Sequence, residues 1–269
     1  MPYGGKETSE KPMPSRPLID AIYCYPVKGL SPHPLARAAL HAGSALPGDR
    51  LYAIENGPSG FDPAAPVYFQ KSRFLMLMRN ERLAALRTHY DEADHTLSIT
   101  QGGRETARGD LRKAGGRAAI EQFFATYCAD ELRGPPKLLF GDGHSFSDVA
   151  KKVVSIINLA SVTDVENAAG APVNPLRFRG NLYVAGWPAW HEFDLVGREL
   201  TIGQARFKVV KRIVRCAATE VDPDTGLRDM AVPRVLMENF GHADCGVYAE
   251  TIEGGEIAVG DAINEMASP

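Results

Sequence analysis

Long apolar runs are missing from this sequence. None approaches the roughly 18–20 residues a membrane-spanning helix needs, so no membrane insertion is expected. Residues 1–16 are polar, contain Gly and Pro and mix both charges; without the apolar segment of a secretory signal they read as a loose tail. Cysteine is scarce. Cys24, Cys128, Cys216 and Cys245 stand far apart, with no C-x-x-C pair and no Cys/His cluster at zinc spacing. That pattern argues against a disulfide framework and for a reducing, cytoplasmic setting. Glycine pairs such as Gly102-Gly103 and Gly115-Gly116 lack the G-x-G-x-x-G or Walker order, so no dinucleotide or nucleoside triphosphate site is visible. Neither sign of charge dominates: 30 Lys and Arg against 33 Asp and Glu leave a net charge of −3. This gives no general affinity for nucleic acid. Any basic surface is local and suits small anions such as phosphates.

What is present is a soluble globular composition, 44% hydrophobic and 23% charged, over 269 residues, enough for one large domain or two joined halves. Leu18 to Tyr25 reads as a strand stopping at Pro26-Val27-Lys28-Gly29, and Pro47-Gly48-Asp49 is a turn before a strand at Arg50–Ile54. Leu83 to Thr100 has the pattern of a hairpin with Asp91–Asp94 at its tip. Ile120, Phe123, Phe124 and Tyr127 are spaced as one face of a helix over 118–127. Breakers at Gly134-Pro135-Pro136 and Gly141-Asp142-Gly143 mark an internal boundary. The resulting division is a tail over 1–16, a β portion over 17–134 and a second domain over 135–265.

Beyond the boundary, Val153–Ile157 is a buried-type strand, and Ser161 with Asp164 resembles a capping box opening a helix that ends near Gly170. Strands are expected at Asn181–Ala185, Glu199–Ile202, Arg206–Val214, Val247–Glu250 and Ile257–Val259, with a short helix at Val232–Phe240 closed by Gly241. Many short strands with about four helices predict a mainly β, barrel-containing α+β fold.

Cys216 stands out chemically. Five of the ten residues from Arg206 to Arg215 are Lys or Arg, and nearby cations favour a thiolate, which attacks electrophiles or binds soft metals. The competing reading is a half-buried strand with a solvated basic face, ending in a small packing cysteine. Lys28, Arg50, Arg177, Arg179 and Arg215 lie at expected strand ends, where they can converge on one anion or remain separate surface cations. Asn181 either hydrogen-bonds a heterocycle edge or closes a turn. Asp222-Pro223-Asp224-Thr225-Gly226 reads as a loop shaping the wall beside Cys216. His191-Glu192 is either a proton relay or a surface pair, and His242, Asp244 and Cys245 fit no tetrahedral zinc pattern.

Taken in order, these segments resemble the MOSC family, named for the C-terminal domain of molybdenum cofactor sulfurase. The resemblance runs over roughly residues 18–264. It rests on Tyr25-Pro26-Val27-Lys28, Gly48-Asp49-Arg50-Leu51-Tyr52, Phe178-Arg179-Gly180-Asn181 (against the family's F-R-P-N), Arg215-Cys216 with Val221–Gly226, and Gly246–Glu250 with Val259-Gly260-Asp261. It implies a MOSC-type β-barrel with an N-terminal β-barrel-like portion, binding the molybdenum cofactor (molybdopterin). By the same resemblance Cys216 is the molybdenum ligand, Lys28, Arg50, Arg179 and Asn181 hold the pterin or its phosphate, and Arg215 adjoins the ligand. Three departures stand out. Gly180 replaces the motif's proline, implying a looser backbone; Val214 replaces a polar residue two before the cysteine; and Gly29 replaces a serine after Lys28.

The function implied is an oxidoreductase reducing small N-hydroxylated compounds. With no ferredoxin-like cysteine cluster in the sequence, electrons are expected from a separate donor of the ferredoxin, flavodoxin or cytochrome b5 type. Two alternatives stay open. One is a sulfurtransferase carrying a Cys216 persulfide received from a cysteine desulfurase; the other is a non-catalytic cofactor carrier.

Overall fold

The computed structural model describes residues 16–266; the tail expected over 1–16 lies almost wholly outside the described residues. In chain order the strands of the first part are β1 (Leu18–Cys24), β2 (His33–Leu35), β3 (Arg37–Leu40), β4 (Tyr52–Glu55), β5 (Arg87–Asp91), β6 (Thr96–Gln101) and β7 (Arg104–Asp110), followed by helix α1 (Ala114–Tyr127). Then come β8 (Lys137–Phe140), β9 (Val154–Asn158), α2 (Leu159–Ala169), β10 (Leu182–Ala185), α3 (His191–Asp194), β11 (Glu199–Ile202) and β12 (Ala205–Val214). The chain closes with α4 (Val232–Phe240), β13 (Asp244–Glu253), β14 (Gly255–Ala258) and β15 (Ile263–Glu265). The fold is mainly β, as expected.

Eight strands form one curled half-barrel sheet in the order β15-β11-β12-β13-β9-β10-β1-β2. All its ladders are antiparallel except β9 with β10, which α2 joins as a crossover. Ile22, Ile156, Val184, Phe207, Val209 and Val247 meet in one core against this sheet. A second core lies under the β5-β6-β7 sheet and α1, built on Leu75, Leu83, Ile99, Ile120 and Phe124. β8 returns to pair with β4, so the chain on either side of the expected boundary is hydrogen-bonded together.

This topology brings one end of the sheet to a single place. The N-terminal ends of the parallel strands β9 and β10 and the C-terminal end of antiparallel β1 lie together there, and Tyr248, paired with both Lys211 and Ser155, brings the second half of β12 beside them. The β12–β13 ladder shifts register three times, between Arg206 and Phe207, Val209 and Lys211, and Arg212 and Val214. Such bulges break strict alternation and turn the strand's end. Burial alternates over Ala205–Val209, breaks at the exposed pair Lys211 and Arg212, and leaves Val214 73% exposed at the strand's end.

Local chemistry departs from expectation in places. The cap of α2 is Asn158, whose side chain accepts the Ala160 amide. Ser161 is instead buried inside the helix, donating to Glu192 and accepting from the Trp190 amide. The hairpin is β5 and β6, but Leu83 belongs to a 3₁₀ turn leading into it. Helix α1 begins four residues earlier than the apolar spacing indicated.

The early start of α1 depends on a close backbone contact with β7. A Cβ on Gly116 would lie 2.1 Å from the Asp110 carbonyl oxygen, and one on Gly109 would lie 2.3 Å from that of Gly116, whereas Gly115 faces open space. Alanine ordinarily stabilises a helix relative to glycine by limiting the unfolded chain. Gly115→Ala is therefore expected to raise unfolding stability by a few tenths to about 1 kcal/mol. Its neighbour Gly116→Ala is expected to lower it by about 1–3 kcal/mol, as overpacking does. Urea titration of the two variants checks this opposite pair of signs.

Candidate active site

At the sheet end lies a cavity of about 330 Å³. Lys28, Arg50, Arg179, Asn181, Arg215 and Cys216, the six residues singled out in the sequence, all line it. Eight cationic side chains reach its wall (Lys28, Arg50, Lys71, Arg177, Arg179, Lys211, Arg212, Arg215) against two carboxylates, Asp49 and Asp148. A chain of net charge −3 thus concentrates positive potential at one concave place, where low-dielectric walls focus it.

Cys216 follows β12, and its carbonyl accepts the amide and hydroxyl of Thr219, fixing the turn in which it sits. Its thiol is partly exposed, while burial pushes Cys24, Cys128 and Cys245 up to about 12. Lys71 donates a hydrogen bond to Cys216 Sγ at 3.3 Å. The basic run preceding the cysteine is largely committed elsewhere. Arg206 pairs with Glu199 and Glu253, Lys211 stacks on Tyr248 and Arg212 on Phe193. The cation that touches the thiol comes from 145 residues away in sequence.

Lys28 is 5% exposed; its ammonium donates to the Phe146 carbonyl at 2.9 Å and to Asp148. Burial lowers its pKa, against the pull of Asp148. Asp148 lies 3.7 Å from Lys71 as well. Partial desolvation raises the pKa of that carboxyl, but Lys28 and Lys71 outweigh it and hold the group well below the usual carboxylate range. The chain Lys28–Asp148–Lys71–Cys216 therefore runs from the buried wall to the thiol. Arg50 pairs with Asp49 and donates to the Arg179 carbonyl at 3.0 Å, and Arg179 donates to the Leu30 carbonyl at 2.9 Å. Both arginines adopt left-handed backbone, φ 51° and 50°, a conformation that side-chain-bearing residues rarely take.

Three residues are more committed to the protein than their sequence positions implied. Asn181 accepts the Ser155 amide and hydroxyl through Oδ1 and donates to the Tyr23 carbonyl, leaving one N–H free. Arg215 donates to the carbonyls of Cys245 and Phe178 and leaves two N–H groups over. Arg177 is spent on Asp222, Asp229 and the Glu220 carbonyl, so it anchors the 222–229 loop rather than offering charge. That loop does not line the cavity; it braces the turn carrying Phe178 and Arg179.

Gly180 is not loose. It is buried, a Cβ there would fall 2.3 Å from Ile157 Cγ1, and its amide donates to Tyr183, a bond proline cannot make. His191 and Glu192 do not pair with each other: His191 meets Glu265, while Glu192 is fully buried and bonded by Asn158 and Ser161. Among the described residues no three His, Cys, Asp or Glu side chains converge to hold a metal ion, and no helix is long and apolar enough to cross a membrane. Sequence reasoning missed Lys71 and Asp148. Lys71 lies in a single 3₁₀ turn and Asp148 in irregular chain, and only the folding of the 56–78 and 141–153 connections onto the cavity brings them to Cys216.

Comparison with known proteins agrees in family. The MOSC domain family matches residues 135–264 and the MOSC N-terminal beta barrel domain matches residues 16–131. Mitochondrial amidoxime reducing component 2 of Bos taurus is 30% identical over 127 residues, 42% of this chain and 37% of the relative. Mitochondrial amidoxime-reducing component 1 of Mus musculus is 28% identical over 134 residues, 45% and 38% respectively. The aligned part thus spans well under half of those relatives. Among solved structures, the YUAD protein from Bacillus subtilis aligns over 92% of this chain and 93% of its own at 13% identity, with a TM-score of 0.44.

Two measurements check the geometry. Native protein treated with iodoacetamide is expected to incorporate one label, at Cys216, because the other three of the four free cysteines are buried; peptide mass analysis reads the position. Asp148→Asn is expected to lower stability at pH 7 by about 1–2 kcal/mol, a buried-pair loss discounted for the solvent-facing side of the carboxylate. Because the folded pKa of Asp148 is depressed, its contribution is full above the ordinary carboxylate value of about 4 and disappears as pH falls through the folded value. Denaturation curves of wild type and variant should therefore converge in strong acid.

Proposed function

The chain belongs to the MOSC family, and on that premise we propose that it is an oxidoreductase which holds the molybdenum cofactor in the cavity at the sheet end and reduces N-oxygenated small molecules. The observation that carries this reading is a partly exposed thiol on the wall of a cavity where, with Arg177 neutralised by Asp222 and Asp229, seven cations still face two carboxylates. The donor set fits a cofactor that is anionic and brings its own sulfur ligands. It offers positive charge for a phosphate and one soft thiolate position, and requires no carboxylate or histidine cluster.

Within this reading Cys216 Sγ would be the protein's ligand to the metal, with Lys71 beside it offsetting negative charge on sulfur. Lys28, Arg50 and Arg179 would neutralise the phosphate and pterin end, and Asn181 would give its remaining N–H. Arg215 would hold the wall between Phe178 and Cys245 rather than the ligand itself. When bound, the cofactor supplies two-electron oxygen-atom chemistry. The overall change is cleavage of an N–O bond with two electrons and two protons, releasing the reduced nitrogen compound and water. Electrons would come from a separate donor protein. The solvent-facing Asp148 and Lys71 would be the groups through which protons reach the thiol side of the cavity.

Molybdenum and pterin per chain, measured after production in a cofactor-making host, test the proposal. Near-stoichiometric metal and pterin are expected in wild type, with metal reduced at least severalfold in Cys216→Ser and little changed in Cys24→Ser or Cys128→Ser. Turnover of a simple amidoxime with a strong chemical reductant is expected of the loaded wild type and not of Cys216→Ser. Well-folded protein holding neither metal nor pterin, but carrying labile sulfur on Cys216, would replace this reading with sulfur transfer.

A further inference from the structure

Tyr25 lies directly behind the anion end of the cavity and has no role in the chemistry above. It is fully buried, and two guanidiniums lie over its ring: Arg179 Cζ at 4.3 Å from the centroid and Arg50 Cζ at 4.5 Å. A guanidinium over an aromatic face is held by the ring's quadrupole, most strongly when water is excluded. The same tyrosine fixes the backbone of the arrangement. Its amide donates to Asp49 Oδ1 at 2.9 Å, its carbonyl accepts the Arg50 amide at 2.8 Å, and Asp49 in turn pairs with Arg50. The hydroxyl, by contrast, makes no hydrogen bond of ordinary geometry among the described residues, although the Tyr183 hydroxyl lies near it. Tyr183, the other buried tyrosine in this region, already accepts from Gly180 and donates to the Pro175 carbonyl.

Two observations make this more than packing. Arg50 and Arg179 are two of four non-glycine residues with positive φ among the described residues, so backbone strain is tolerated at both guanidiniums that meet the ring. An unpartnered buried hydroxyl also costs stability, so that atom does not explain why an aromatic ring occupies the position. What the surroundings use is the face. We propose that Tyr25 is a positioning residue whose ring holds the Arg50 and Arg179 guanidiniums in place as a clamp for a phosphate group. This inference rests on the reading above that the two arginines receive the phosphate end of a ligand, and adds the element that sets their spacing. Without the ring, two half-buried cations would repel each other and separate toward solvent or toward Asp49 and Asp148.

The test is titration calorimetry of inorganic phosphate into the cofactor-free full chain at low ionic strength, with thermal melting of each variant alongside. Tyr25→Phe keeps the face and is expected to bind phosphate within about twofold of wild type, with an unchanged or higher melting temperature because the unpaired hydroxyl is gone. Tyr25→Leu keeps the backbone bonds and removes the face, and a loss of roughly five- to tenfold in affinity is expected. Pentafluorophenylalanine at position 25 preserves ring size while weakening the negative face, and guards against a leucine variant that fails to fold. Its affinity should fall between the two. Phosphate binding equal in all four proteins, with wild type binding measurably, overturns the role of Tyr25 alone. Absence of phosphate binding by wild type overturns the clamp itself, and with it the phosphate end of the functional reading.

Discussion

Crowding of like charge in a desolvated cavity is the constraint on which the site depends. Two unit charges about 5 Å apart repel by about 3 kcal/mol at an effective dielectric of about 20, and eight cationic side chains border one cavity here. The structure meets this cost locally. Asp49 answers Arg50, Asp148 answers Lys28 and Lys71, backbone carbonyls answer Arg179 and Arg215, and Asp222 with Asp229 take Arg177 out of the balance. The compensation is incomplete by design of the cavity: donors on Lys28, Arg179, Arg215 and Asn181 remain over. Surplus donors and surplus positive charge make such a cavity suited to an anion.

Chain topology explains why these groups meet. Parallel pairing of β9 with β10 through α2 places two strand beginnings side by side, and antiparallel β1 and β13 bring an ending and a bend to the same edge. Asn181 ties that edge together by bonding Ser155 on β9's strand and the Tyr23 carbonyl on β1. Gly180 must be small because Ile157 fills the space beside it, which makes the F-R-G-N segment a tightly packed variant of the motif rather than a slack one. The partly exposed thiol is then singled out by position. Three cysteines are sealed in apolar or backbone surroundings that hold them as thiols, and one stands at a bulged strand end facing the cavity.

Much was legible before folding. Alternating apolar residues marked most strands of the half-barrel sheet, breakers marked the turns, and the strand-end position of Lys28, Arg50, Arg179, Arg215 and Cys216 indicated a common rim. Those signals are local, since period and turn chemistry reside in neighbouring residues. The errors were also local competitions. Ser161 has the spacing of a cap, but Asn158 is better placed once β9 ends, and Ser161 is drawn inward by a buried glutamate. The basic run before Cys216 looked like the source of its electrostatic environment; Lys211, Arg212 and Arg215 do line the cavity, but Arg206 is held by cross-strand glutamates and the cation on the thiol itself is Lys71.

The sequence by itself determined the fold class and the family, and pointed to the candidate thiol and to every cavity cation except Lys71, because each is written in residue type and short-range pattern. Only tertiary structure decided which cation touches the thiol, which arginines remain available and which are structural. Lys71 and Asp148 come from connections without periodicity, and their distance to Cys216 is fixed by long-range packing rather than by spacing along the chain. The stacking of Arg50 and Arg179 on Tyr25 joins residues 25, 50 and 179, whose relation exists only once β1 and β10 pair and the backbone turns left-handed at both arginines. Charge in a cavity is a property of several chain segments at once, and no single segment carries it.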